Sequence, residues 1–522
     1  VTKLGRFDLN WILVLLLATL AVAPLTYPGF FQAQSGFLPA YNAAHPAQAP
    51  NWGRTSEPLR GEGKLPYLLV WPFFALSGSG TLAIRWGYAL AFLLAALATY
   101  AWTRRWLGAR GGVLAAAVYT YLPWHLSAVY VRGAYAETWL WAFLPALLWA
   151  ADLIAERRLR SALTAVAVGL PAMAAIAWTE PGPGALFIPI LAAYGVMVAV
   201  DRRRLALWLP AVLIPAFALL WALGRSASPA PASFADHFLV PYQLLSAAWG
   251  WGSSVSGWAD GMSFQLGLAA VGLALVALAL RIGAGRTLPN RSIPRERIFW
   301  FWAIVLAVVV LSTLPLSAWL WRAGHLSSLV TYPWQVLVLA GLPLSFLAGS
   351  AVRLERRLTN LPVWGGLLAL VVLASYPYLS PRFTQVAAGV EPVALFQPVE
   401  ARAPEILLLD DQIVPPSDIT PTLTLTLDWQ AIAPVAGDYT VFAHLLTEDD
   451  SKVAQLDTRP CSGECPTTTW QPGEIVEDRY QLALPSDAPP GPYRLAVGLY
   501  LLDTGERATV AGHDDTVYLN VP

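Results

Sequence analysis

The sequence predicts a polytopic α-helical membrane protein of about eleven transmembrane helices with a C-terminal all-β domain, an immunoglobulin-like sandwich. Three observations carry that reading. Apolar residues make up 56% of the chain and charged residues only 13%, with a mean hydropathy of +0.52, far from the balance of a water-soluble globular protein. Apolar runs recur from the N-terminal region to about residue 380, separated by turns that are mostly short. From about Thr420 the pattern changes to an alternation of period two, which suits half-buried strands.

A span needs roughly 17 to 25 mostly apolar residues. That places helices near 10–27, 81–102, 112–126, 136–154, 161–178, 184–200, 205–223, 262–280, 298–317, 331–350 and 362–379. The first run could be a signal peptide, because Ala21-Val22-Ala23 imitates a small-residue cleavage site. Pro24 suits a peptidase poorly and further spans follow, so the run is read as a retained first helix. Leu65 to Leu76 is apolar but too short to span, and Pro66 and Pro72 fit a re-entrant or interfacial helix.

Orientation follows from Lys and Arg. With the N-terminus inside, the inner segments hold Lys3, Arg6 and the clusters at 104–110, 157–160, 202–204, 281–297 and 353–357, nineteen residues in all. The outer loops hold six, Arg54, Arg60, Lys64, Arg132, Arg225 and Arg322. An odd number of spans then puts the C-terminal domain outside, and a bacterial cytoplasmic membrane is the expected location. The organisation predicted is a transmembrane domain over 1–380 with long outer loops at 28–64, 224–261 and 318–330, a linker at 381–419 that includes room for a first strand, and a β-domain over 420–522.

Within that last domain Thr422–Trp429, Tyr439–Leu446 and Tyr493–Tyr500 alternate apolar and polar residues, with Gly, Pro and Asp turn signals between them. Asp503-Thr-Gly-Glu506 is a hairpin-turn candidate. Cys461 and Cys465 are the only cysteines, so they suit one short disulfide, with a metal half-site a distant second because no other ligand pair matches.

Acidic and basic residues number 33 each, which leaves no footprint for nucleic acid. No phosphate-cradling Gly loop, HExxH, GxSxG or nucleotide fingerprint occurs. Ionisable groups near membrane depth are costly and therefore draw attention. Arg132 and Glu137 sit five apart at the outer start of the fourth span, with His125 just before them. They can pair with each other as a local cap, or with a phosphate and a hydroxyl of a ligand. Glu180, in the Gly/Pro-rich bend Trp178-Thr-Glu-Pro-Gly-Pro-Gly184, is a ligand candidate or a solvated loop acid. In the first outer loop Glu57 and Glu62 lie beside Arg60 and Lys64, and such a pair can hold a divalent cation or act as general base, or can be a charge run on a wet loop. Aromatics such as Trp52, Trp124, Trp178, Trp249, Trp251 and Trp334 gather on the outer side, where they serve as an interfacial belt or stack on sugar rings.

The run YVRGAYAETWLWAFLPALLW at Tyr130–Trp149, preceded by PWHLSAVY, resembles the bacterial membrane proteins called "6-pyruvoyl-tetrahydropterin synthase-related". Thr331-Tyr-Pro-Trp-Gln-Val-Leu337 is similar to that family's FPWRxL, with Gln335 where the pattern has arginine. The C-terminal run from Thr467 to Arg507 resembles a β-sandwich appended to related proteins. The family resembles the GT-C glycosyltransferases and the YfhO-type proteins, which implies a GT-C-like transmembrane fold and no pterin chemistry. Such enzymes usually carry an Asp in the first outer loop, and Phe31–Phe37 has none, so Glu57 and Glu62 stand in as candidates. The resemblance carries His125, Arg132 and Glu137 over by motif, with Trp334, Gln335 and Glu180 as further ligand-binding candidates.

It implies a transferase that takes sugar from a polyprenyl-phosphate donor on the outer face and passes it to an envelope glycan or lipid acceptor. Arg132 would hold the donor phosphate, Glu137 would orient it or a hydroxyl, and a first-loop acid would deprotonate the acceptor. The partners expected are membrane lipid, that donor and that acceptor, with no nucleic acid; no cofactor is assigned beyond a divalent cation as an open option. The competing expectation is a non-catalytic relative that binds an envelope glycan or lipid. A transporter fits less well, because almost no ionisable residue falls at mid-depth and no inverted repeat is visible.

Overall fold

The computed structural model describes residues 8–47, 63–156, 158–198, 234–257, 260–283, 293–384, 390–397, 405–416, 422–489, 491–511 and 515–522. Its helices in chain order are α1 (Asn10–Val22), α2 (Leu38–Ala44), α3 (Leu65–Ser77), α4 (Gly80–Tyr121), α5 (Pro123–Tyr130), α6 (Tyr135–Ile154), α7 (Leu159–Ala177), α8 (Pro181–Val198), α9 (Pro241–Leu245), α10 (Leu268–Gly283), α11 (Ile293–Ser312), α12 (Ala318–Ala323), α13 (Leu337–Leu354), α14 (Leu361–Leu373) and α15 (Tyr376–Leu379).

About eleven spans are not supported among the described residues. Among the described residues four helical segments are long and apolar enough to cross a membrane: α4, α7, α8, and α13 with its leading turn from Pro333. A fifth counts if α11 and α12, bent by 90° at Pro315, are one broken span. The reason lies in residues that hydropathy passes over. The runs expected at 81–102 and 112–126 both fall in the apolar stretch α4, which is kinked at Gly108 with a φ of 78°, and Pro123 then starts α5. Helix α14 has 13 residues, about 20 Å at 1.5 Å per residue, short of a hydrocarbon core of about 30 Å. The run at 205–223 lies outside the described residues.

The chain divides into two compact units. The first comprises Val1–Tyr27, Pro50–Leu69 and Trp86–Pro381. Its centre is α13, buried at every position from Leu337 to Val352, as expected of a helix that is apolar all round. Small residues let neighbours reach its backbone: a Cβ on Gly341 would lie 2.4 Å from the Trp141 ring of α6, and one on Gly349 would lie 2.6 Å from the Gly111 carbonyl of α4.

The second unit comprises Pro28–Ala49, Val70–Arg85 and Arg382–Pro522. Two antiparallel sheets face each other over one apolar core. One has five strands in the order β6-β3-β2-β1-β8 and the other four in the order β5-β4-β7-β9. The strands are β1 (Ala394–Gln397), β2 (Ile406–Val414), β3 (Thr422–Ala431), β4 (Tyr439–Leu446), β5 (Lys452–Thr458), β6 (Ile475–Ala483), β7 (Arg494–Leu501), β8 (Thr509–Val510) and β9 (Val517–Asn520). The alternation read in the sequence is what buries Leu423, Leu425 and Leu427 of β3. The stretch at 381–419 supplies two strands, β1 and β2, rather than linker with one. Cys461 and Cys465 form a disulfide.

Part of the first long loop belongs to this unit. Phe37 N donates to the buried Gln430 side chain of β3 at 2.8 Å, and Thr384 N donates to the Phe30 carbonyl at 2.8 Å. Glu391 accepts from the backbone of Gly80 at 2.7 Å and of Thr81 at 3.3 Å, so the first free N–H groups of α4 have a partner supplied from just before β1.

Candidate functional site

Helix α5 ends in a turn that α6 reopens, and this turn brings Arg132 to Glu137. Arg132 N and Ala134 N close back on Ser127 and Ala128 carbonyls at 2.8 and 2.7 Å, and Gly133 takes a φ of 65° that a side chain would resist. Arg132 then lies over the first turn of α6. Its Nη1 donates to Glu137 Oε2 and its Nη2 to Glu137 Oε1, both at 2.6 Å, with both side chains buried. Of the two readings of this pair, pairing with each other is the one observed.

The guanidinium is flanked by indoles. Trp124 of α5 lies 4.2 Å from it and Trp334 lies 5.8 Å away, and the two rings meet edge to face at 5.6 Å. Tyr332 stacks on Trp334 at 5.2 Å. Three buried donors here have no acceptor among the described residues: Arg132 Nε, Trp124 Nε1 and Trp334 Nε1. Buried N–H groups are almost always paired, so three together need an explanation. Charge is balanced by Glu137; hydrogen-bonding capacity is left over.

The other expected residues fall in different surroundings. His125 is sandwiched between Phe92 of α4 at 4.1 Å and Trp141 of α6 at 4.3 Å. Its Nδ1 meets the Tyr119 carbonyl at 2.9 Å, and its Nε2 is sealed with no partner. Gln335 is occupied locally, its Oε1 accepting from the backbone of Thr331 at 2.7 Å and Tyr332 at 3.0 Å to shape the turn before α13. Glu180 lies between α7 and α8, and no hydrogen bond or ion pair joins it to Arg132 or Glu137 among the described residues. Its neighbours Trp178 and Thr179 accept from Leu65 N at 3.2 Å and Gly63 N at 2.7 Å, pinning the end of the first loop. Glu57 and Glu62 lie outside the described residues.

Sequence reasoning passed over a second polar cluster, in the 224–261 segment that it had marked for length alone. Asp260 Oδ1 accepts from Ser254 Oγ at 3.0 Å and Val255 N at 2.9 Å, and its Oδ2 accepts from Gln243 Nε2 at 2.8 Å. His237 Nδ1 lies 3.0 Å from Ser254 Oγ. The His237 ring packs 4.3 Å from Tyr332, so this cluster and the Arg132 pair share one aromatic wall. Burial lowers the His237 pKa, against Asp260 and Asp236, which raise it. An Asp and a His in a long loop were the available signal.

Asp152 was also missed. Its carboxylate accepts from Tyr194 Oη at 2.8 Å and Trp106 Nε1 at 2.9 Å, a fully partnered clasp joining α6, α8 and α4. No group of three or more His, Cys, Asp or Glu among the described residues could hold a metal ion.

An apolar groove of about 760 Å³ lies against the opposite face of α6. Trp139, Phe143 and Trp149 line it together with Leu69, Pro171 and Trp178. Glu137 and Trp139 are two residues apart, about 200° around a helix, so the groove and the ion pair are back to back. No family model matches the chain, and neither a curated protein nor a solved structure does.

Proposed function

We propose that the chain is a membrane-embedded protein that binds a saccharide at the aromatic cluster around Arg132, on the extracytoplasmic side if the basic-residue asymmetry sets its orientation. The observation that carries this is the trio of unmatched buried donors, Arg132 Nε, Trp124 Nε1 and Trp334 Nε1, set among indole faces. Because Glu137 already neutralises the guanidinium, the cluster offers N–H groups without net charge, and hydroxyl or ring oxygens suit it better than a phosphate dianion. Aromatic faces complement the apolar faces of sugar rings. The groove behind α6 offers an apolar surface for a lipid chain, so a lipid-linked saccharide is the ligand class favoured.

A second reading is catalytic, a GT-C-like transferase using a polyprenyl-phosphate sugar. The resemblance at Tyr130–Trp149 supports it, and so does the His237–Ser254–Asp260 chain on the same aromatic wall. The first-loop acids expected as base, Glu57 and Glu62, lie outside the described residues. In either reading the β-unit, taken as an immunoglobulin-like sandwich, would be an accessory recognition domain.

The test uses the full chain in lipid nanodiscs, titrated with a polyprenyl-phosphate sugar and with the sugarless polyprenyl phosphate. The sugar-bearing lipid should bind more tightly, and Trp334→Leu should weaken it by about tenfold, the equivalent of one lost stack or hydrogen bond of about 1.4 kcal/mol. Equal binding of the two lipids, unchanged by Trp334→Leu, would overturn the proposal.

A further inference from the structure

We propose that His237 is the proton acceptor of this site, its ring held by Ser254 and Asp260 so that Nε2 takes the proton of the hydroxyl that attacks the sugar. The inference rests on the transferase reading above.

The protons available fix the tautomer of the His237 ring. A serine hydroxyl has one, and that of Ser254 lies on the line to Asp260 Oδ1 at 3.0 Å. Asp260 is fixed in turn by Val255 N at 2.9 Å and Gln243 Nε2 at 2.8 Å, and Gln243 is fixed by accepting from Val240 N at 2.8 Å. A carboxylate so placed can only accept, so the Ser254 proton is committed to it. Ser254 Oγ therefore accepts from His237 Nδ1 at 3.0 Å, and Nδ1 must carry the ring proton. The lone pair is then on Nε2.

That nitrogen is placed to use it. Among the described residues Nε2 makes no hydrogen bond, in a ring that is buried but for 7% of its residue surface. The ring lies 4.3 Å from Tyr332, which stacks at 5.2 Å on Trp334, one of the indoles flanking Arg132. Burial keeps the ring neutral near pH 7 despite Asp260 and Asp236, so the lone pair is present when needed. A chain that merely tied the loop together would not need a ring nitrogen left open at its end.

The step balances without a metal or redox partner. The acceptor hydroxyl gives its proton to Nε2 while its oxygen forms a bond to the anomeric carbon. The bond from that carbon to the donor phosphate oxygen breaks, and the phosphate leaves with the electron pair. The imidazolium then returns its proton to solvent or to the released lipid phosphate.

The full chain in nanodiscs is supplied with a polyprenyl-phosphate sugar and an alkyl glycoside as hydroxyl donor, with lipid binding and polyprenyl phosphate release both measured. His237→Ala should release product at least about 10²-fold more slowly with binding of the donor unchanged, and added imidazole should restore part of the rate. Ser254→Ala, which leaves the ring in place, should lose about tenfold, one hydrogen bond's worth of orientation, while Ser254→Thr stays near wild type. Release by His237→Ala at the wild-type rate would overturn this inference and leave the transferase reading standing. Donor binding without release by the wild type would overturn the transferase reading, and this inference with it.

Discussion

Two histidines in the membrane unit each pack against aromatic rings, His125 against Phe92 and Trp141 and His237 against Tyr332, and their settings are opposite. His125 is enclosed between Phe92 and Trp141, its one hydrogen bond going to a backbone carbonyl, next to an ion pair that satisfies its own charge. His237 ends a chain of three side chains in an irregular segment, its Nε2 without a hydrogen bond among the described residues. The difference separates polar groups that hold helices together from polar groups kept available. Motif resemblance pointed to the first region, where the charges cancel, and the proton acceptor proposed above lies in the second.

The largest effect should come from breaking the closed region. Glu137→Gln leaves the Arg132 charge buried against indoles with one neutral oxygen, and loss of one partner of a buried pair costs about 3–5 kcal/mol. Replacing both, Arg132→Met with Glu137→Leu, removes the charge as well as the partner and should recover most of that loss. Denaturant unfolding in detergent, followed by tryptophan fluorescence, reads both. If the double variant is as damaged as the single one, the pair is not a self-contained element and the contrast drawn above is wrong.

A smaller change sharpens the comparison at His125. His125→Phe keeps both stacked faces, gives up the bond to the Tyr119 carbonyl and removes the sealed Nε2. Losing one neutral hydrogen bond costs about 1 kcal/mol, offset by removal of an unmatched polar atom, so stability should stay within about 1 kcal/mol of wild type. Binding of the sugar-bearing lipid should not change. A tenfold loss of binding in a protein of normal stability would return His125 to the ligand site, where the resemblance placed it.

What the sequence disclosed follows from which forces act locally. The period-two runs at Thr422, Tyr439 and Tyr493 became β3, β4 and β7 because alternation is set by the pleat itself. Cys461 and Cys465 paired because four residues of chain leave them little choice. Strands β1 and β2 were largely lost in a proline-rich stretch, since β2 opens on four consecutive buried residues, Ile406 to Leu409, rather than on an alternation. Helix number was overcounted because hydropathy sums apolar residues and does not weigh the shortness of a helix such as α14 or the 90° bend between α11 and α12. Arg132 and Glu137 were legible because five residues separate them. His237 and Asp260 are joined through Ser254 and meet Tyr332 from far along the chain, a convergence that only the fold produces.

The finest test uses protons. Burial lowers the His237 pKa in the folded chain from the usual 6.5, opposed by Asp260 and Asp236, while Tyr332 presents only a ring face. Between the folded value and 6.5 the unfolded segment binds more protons than the folded one, so stability rises with pH across that window and is lost as pH falls through it. Hydrogen exchange at Leu239, Gln243 and Gly257, whose amides are bonded to Thr313, Val240 and Asp236 carbonyls, should therefore quicken on going from about pH 7 to 5 beyond the intrinsic change. His237→Gln should abolish that extra dependence, and the Arg132 and Ala134 amides beside His125 should show none in either protein. A slope that survives in His237→Gln would show that His237 is not the titrating group and overturn the reading of it as a neutral base.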